Sequence, residues 1–224
     1  MGRLLMGIQG GTSGVVADVD SLQALKMSIR PLDYSSGGYY RIGRNFSVGP
    51  SSTIAANGAI FSFRWTSATK IAIVVFFKWH WVVTTAFTGV QYIDHGLYIA
   101  RQWTSDDSAT GSATLTMTGN NAKKRTSMAT SAAGQIMNAT SNSLTAGTRT
   151  VDTNPLMYKG NYGAAQGLEL IDYGVLTIDI DHEHPIVLAQ NEGLVLNNIT
   201  VFPVAGVLAI SVEMAWAEVL NAAF

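Results

Sequence analysis

The chain of 224 residues carries 14 Lys and Arg against 15 Asp and Glu, a formal net charge of -1, with 47% hydrophobic and 13% charged residues and no cysteine. It is too apolar for a disordered chain, and its length suits one large β-domain or two small domains around a real core. Near-neutral charge argues against the broad basic field of genome binding, and the lack of Cys excludes a disulfide framework, thiolate metal sites and a cysteine nucleophile.

The charged fraction is about half the roughly 25% usual for soluble domains. A low-charge surface fits coverage by other subunits, because charged residues are depleted in interface cores. The start, Met1 to Ile8, has one basic residue but no sustained apolar stretch, so no export signal is expected. The longest apolar run, Ile71 to Phe77, is far short of the ~20 residues that span a bilayer, so no membrane partner is expected.

In chain order, residues 1–35 read as an extended arm with at most one short helix. Asp18 or Asp20 would cap that helix, and Val19, Leu22, Leu25 and Met27 would line one side. Residues 36–224 read as the main domain. Tyr39 to Val48 is an aromatic-rich first strand that Gly49-Pro50 stops. In Ala59 to Thr66, apolar Ala59, Phe61, Phe63 and Trp65 alternate with Ile60, Ser62, Arg64 and Thr66, which predicts a half-buried strand. Ile71 to Val83 predicts a long central strand with Ile71, Ile73, Val75, Phe77, Trp79, Trp81 and Val83 on one face. Val207 to Val219 sets Leu208, Ile210, Val212, Met214 and Trp216 against a small-residue face that implies a second packed surface. Runs at Val90–Trp103, Leu168–Asp181, Ile186–Gln190 and Leu194–Phe202 bring the count to about eight strands, the pattern of a β-sandwich. Between them, the Thr- and Ser-rich stretch 104–150 has anchors at Leu115, Met117, Met128, Ile136, Met137 and Leu144, and predicts an ordered excursion with a short helix.

The sharpest titratable cluster is Asp179-Ile180-Asp181-His182-Glu183-His184. Alternation puts His182 and His184 on one strand face, where they could share a metal with a third imidazole from His80 or His95. Pro185 breaks the strand at once, and the next carboxylate, Glu192, is too far downstream for the cupin pattern, so a solvated strand end is the simpler reading. Three carboxylates on the other face lack a calcium-loop spacing. Gly10 to Gly14 and the basic run Lys123-Lys124-Arg125 lack the context of a phosphate loop, although the basic run suits an acidic protein surface. No Gly-x-Ser-x-Gly elbow is present. The five tryptophans, four of them on apolar strand faces, fit core packing better than sugar stacking.

Several phrases occur together: Phe61-Ser62-Phe63-Arg64-Trp65, Thr84-Thr85-Ala86-Phe87-Thr88, Thr116-Met117-Thr118-Gly119-Asn120-Asn121, Arg125-Thr126-Ser127-Met128, Leu144-Thr145-Ala146-Gly147-Thr148-Arg149 and His184-Pro185-Ile186-Val187-Leu188-Ala189-Gln190-Asn191-Glu192-Gly193. From about Tyr39 to the C-terminus the chain resembles the jelly-roll head-decoration (cement) proteins of tailed bacteriophages. The resemblance implies an all-β, jelly-roll-type β-sandwich, to which the N-terminal extended arm read above is appended. It also implies a homotrimer, made in the host cytoplasm, that stabilises the outer capsid surface by binding the major capsid protein. It implies no enzymatic activity, no cofactor, no metal and no direct nucleic-acid contact. Leu4, Leu5, Met6 and Ile8 of the arm are the expected capsid-docking residues. A phage tail position is the related alternative. A receptor- or carbohydrate-binding module would draw on Tyr92, Tyr98, Tyr158 or Tyr162, expected in loops, and a cupin-like metalloenzyme would draw on His182 and His184.

Overall fold

The computed structural model describes residues 9–10, 15–16, 38–49, 54–108, 112–124, 126–140, 142–163, 170–177, 185–201 and 205–221. The chain divides into two compact units, Met1–Asp33 and Tyr34–Phe224. In the first, β1 (Gln9–Gly10) pairs antiparallel with β2 (Val15–Val16). The helix expected near Asp18 to Met27 lies outside the described residues.

The second unit is a sandwich of two antiparallel sheets. One has the order β11 (Leu170–Thr177), β5 (Lys70–Thr85), β14 (Val207–Leu220), β3 (Tyr39–Val48), with β12 (Ile186–Leu188) also pairing β5. The other has the order β10 (Met157–Gly163), β6 (Gln91–Arg101), β13 (Glu192–Asn198), β4 (Gly58–Trp65), β8 (Ala133–Ala139), β7 (Ser112–Thr114), with β9 (Thr150–Val151) also pairing β6. All eight strands expected from periodicity are present. Aromatic side chains from the two sheets meet in the middle. Phe61 packs on Phe77 at 5.7 Å between ring centroids, Phe63 on Trp216 at 5.1 Å, and Trp81 on His95 at 4.8 Å. All five tryptophans are buried, so they build the core and present no sugar-stacking groove.

Three local expectations are corrected. The long strand β5 does not keep one apolar face, because its register against β14 shifts between the Phe76–Ala215 and Val74–Trp216 pairs and makes Val75 an extra residue. Beyond this bulge, Ala72 and Val74 join Phe77, Trp79, Trp81 and Val83 in the main core, while Ile71 and Ile73 turn to a second cluster with Tyr39, Ala215 and Ala217. The small-residue face of β14 is thus a packed surface where Ala215 and Ala217 lie. Strand β4 is buried on both faces instead of one, since Ile60 and Ser62 are as inaccessible as Phe61 and Phe63.

The described residues of 104–150 contain no helix. The segment supplies β7 and β8 instead, and β8 pairs with the edge of β4 that β13 leaves open. The physical reason is that this stretch has no 3.6-residue apolar stripe, whereas the free edge of β4 satisfies its backbone groups. The excursion is then fastened on the outer side of the sheet. Trp103 lies over Gly193, on the side of β13 opposite the core residue Leu194, and a Cβ at Gly193 would stand 2.7 Å from the indole ring.

Candidate functional site

Two of the sequence-level candidates, the arm residues Leu4, Leu5, Met6 and Ile8 and the cluster Asp179 to His184, lie outside the described residues. The remaining histidines point to opposite surroundings. His95, on β6, is fully buried against Trp81. His80, on β5, lines a groove on the outer side of its sheet with Arg41, Asn45, Ser211 and Glu213. These two imidazoles therefore cannot serve one metal together. Among the described residues no group of three His, Cys, Asp or Glu is placed to hold an ion.

Burial costs His95 its charge: its pKa is pushed down from 6.5 to about 4, against a smaller opposing pull from Asp94. Neither ring nitrogen has a hydrogen-bond partner, and the same is true of the indole nitrogens of Trp79 and Trp81. The neutral ring acts as a core side chain, which is unusual for a polar group and has a consequence for acid stability.

The strongest electrostatic arrangement holds the excursion closed. Asp107 is buried and accepts hydrogen bonds from the Gly147 N–H at 2.9 Å and from Arg149 Nη1 at 2.7 Å. Arg149 is also buried and lies 4.3 Å above the Trp103 ring, so it answers both a carboxylate and an aromatic face. Burial holds the Arg149 pKa down, while Asp107 opposes that fall. The Gln135 amide brackets Asp107 from the other side, accepting from its N–H at 2.8 Å and donating to its carbonyl at 3.0 Å. Arg64 donates to the Trp103 carbonyl at 3.0 Å and pairs with Asp106. A second fastening uses the buried Glu218 near the end of β14. Its carboxylate accepts from Ser131 Oγ at 2.7 Å, the Ala132 N–H at 2.9 Å and Lys70 Nζ at 3.1 Å. Burial and this carboxylate push the Tyr40 phenol up to about 12, and its hydroxyl donates to the Ala129 carbonyl at 2.9 Å.

Parts of three of the sequence phrases quoted above lie at these joints: Phe61 to Trp65 is most of β4, Leu144 to Arg149 holds the partner of Asp107, and Gln190 to Gly193 brings Glu192 to Arg101 at 2.9 Å and Gly193 under Trp103.

Two exposed features remain. Along β3, Arg41 pairs with Glu213, which also meets Lys78 at 3.1 Å. Glu213 is held below the usual carboxylate range, since these cations outweigh the upward push of partial burial. Lys123 bridges to Tyr40, and Lys124 Nζ lies 4.5 Å over the Tyr39 ring, so these two lysines flank the same strand.

The second feature is a tyrosine surface that the sequence placed in loops. Tyr92 and Tyr98 lie instead on β6, and Tyr158 and Tyr162 on the outermost strand β10. Tyr158 pairs with Gly96, Gly160 with Asp94, and Tyr162 with Tyr92, so all these residues share the outer face, while Ile93 and Leu97 face the core. Tyr92, Tyr158 and Tyr162 are 38%, 46% and 64% exposed, whereas Tyr98 is buried. Tyr158 donates to Asp94 Oδ2 at 3.1 Å and meets the Tyr92 hydroxyl at 2.6 Å. The Tyr92 hydrogen bond, then burial and Asp94, raise the Tyr158 pKa above its ordinary value. Asp94, which sequence reading missed, is itself fixed by the Thr200 N–H at 2.8 Å. The signal was present as alternation, Tyr92-x-Asp94 facing Tyr158-x-Gly160-x-Tyr162, but it becomes a cluster only once β6 and β10 are known to pair.

A scan against protein-family models finds no match, and neither the curated proteins nor the solved structures yield a match to the chain.

Proposed function

We propose that this chain is a structural virion protein with a jelly-roll fold that decorates and stabilises a bacteriophage capsid. The observation that carries the reading is strand order. Leaving aside β7, β8, β9 and β12, the eight principal strands of the main unit form sheets in the order first-eighth-third-sixth and second-seventh-fourth-fifth. This order supports the jelly-roll reading, since it corresponds to a double Greek key; jelly rolls recur in viral capsid proteins as well as in lectins and cupins. The phrases resembling phage cement proteins favour the capsid role among these, and three of them reach structural joints of the sandwich. The buried ion pair of Asp107 and Arg149 and the carboxylate of Glu218 suit a protein whose task is to stay folded under mechanical load.

In this reading the chain forms a homotrimer on the outer capsid surface, binds the major capsid protein and needs no cofactor. The arm residues Leu4, Leu5, Met6 and Ile8 dock on the capsid, and the basic groove along β3 meets acidic capsid surface. The test is cosedimentation of the purified chain with phage heads assembled without it, with mass photometry of the unbound protein. Saturable binding of a trimer is expected. A chain that stays in the supernatant at micromolar concentration refutes the decoration role.

A further inference from the structure

Most large apolar side chains of the main unit are buried, and the exceptions are concentrated. Of the seven exposed ones among the described residues, Val90, Tyr92, Leu156, Tyr158, Tyr162 and Val201 lie on β6, β10 or the chain just beside them. Two glycines shape this surface. A Cβ at Gly160 would stand 2.8 Å from Tyr92 Cζ and 3.0 Å from the Tyr158 hydroxyl, and one at Gly96 would stand 2.7 Å from the Tyr98 ring. Tyr92, which reaches over the bare backbone of Gly160, lies along the sheet and stays 38% exposed, while Tyr98 over Gly96 is buried. Tyr162 then rises beside Tyr92, with ring centroids 5.1 Å apart and planes inclined by 59°, as a wall against a floor.

The hydroxyls are ordered as well. A phenol has one proton, and that of Tyr158 goes to Asp94, so the 2.6 Å contact requires Tyr92 to donate to Tyr158. The lone pairs of the Tyr92 oxygen are left as acceptors at the rim. Asp94 is buried beneath the tyrosines, and Lys159 lies on the other face of β10 from Tyr158 and Tyr162, so among the described residues the platform carries no exposed ion of its own.

We propose that this platform is a glycan-binding site, on which Tyr92, Tyr158 and Tyr162 take the apolar face of a neutral pyranose while the Tyr92 oxygen accepts from its hydroxyls. A flat aromatic floor, an inclined aromatic wall and fixed acceptors complement a sugar ring, which is apolar on its axial C–H face and polar around its edge. The inference stands independently of the virion reading. A capsid-bound copy would hold sugar from the host surface or its surroundings, and an unbound copy would bind the same ligand.

The experiment compares the wild-type chain with Tyr162→Ala and Tyr92→Phe on a printed array of bacterial and eukaryotic glycans. Titration calorimetry with the best neutral glycan and sedimentation velocity of each protein complete it. Wild-type binding is expected to weaken about tenfold in Tyr162→Ala, the loss of one stacked ring. It is expected to weaken about fivefold in Tyr92→Phe, the loss of one hydrogen bond. Melting temperatures should stay unchanged, because Tyr162 is exposed and Tyr158 keeps Asp94. No bound glycan on the array overturns the proposal, as does binding that survives Tyr162→Ala. A wild-type oligomer that Tyr162→Ala dissociates also overturns it, since the tyrosines would then lie between copies of the chain.

Discussion

Acid should loosen this sandwich through one residue, His95. In the folded state the ring is neutral because its pKa is held near 4 by burial, whereas in the unfolded chain it returns to about 6.5. Below about pH 6.5 the unfolded state therefore binds a proton that the folded state refuses, and stability falls as pH falls. The loss grows by about 1 kcal/mol per pH unit below that point and levels near roughly 3 kcal/mol once the folded ring also protonates. Urea unfolding followed by tryptophan fluorescence between pH 7 and pH 4, on wild type and His95→Phe, measures this term. Phe keeps a ring against Trp81 and removes the titration, so the variant should lose roughly 3 kcal/mol less than wild type over that range, whatever its offset at pH 7. Parallel pH profiles for the two proteins would refute the reasoning.

Four further outcomes are expected. Arg149→Met should destabilise the fold by about 3 kcal/mol, because it leaves the buried Asp107 carboxylate without its cation; limited proteolysis should then cut within 104–150 before the sheets open. Gly193→Ala should cost about 2 kcal/mol and change the near-ultraviolet dichroism of Trp103, since the new methyl meets the indole and the β4 backbone. Glu218→Gln should lower the urea midpoint by the equivalent of about 1–2 kcal/mol, because the amide still accepts from Ser131 and Ala132 but no longer balances Lys70. Deleting residues 1–33, a separate compact unit, should leave a sandwich with cooperative unfolding that no longer sediments with phage heads; retained sedimentation would remove Leu4, Leu5, Met6 and Ile8 from the docking role.

The sequence by itself determined the class of the fold, because period-two alternation is a local property and needs only a strand with two different sides. Phe61, Phe63 and Trp65, or Leu208 to Trp216 by twos, identify their core faces without any partner strand. What escaped was whatever depends on a neighbour. The bulge at Val75 exists because two long strands must stay paired through a twist, and nothing in Ile71 to Phe77 marks where the phase changes. Strand β8 has no apolar alternation of its own and forms because β4 offers an edge. Strand β10 was missed because Tyr158 and Tyr162 point outward, which reverses the usual sign of the pattern. Asp107 and Arg149 are separated by a long polar stretch and read alone as surface charges; only the fold brings them together over Trp103 and shuts out water. Tertiary structure also decided the tyrosine platform, since Asp94, Gly96 and Gly160 gain meaning only from the register of β6 against β10. Local alternation selects the side of a strand, and long-range pairing selects which sides meet.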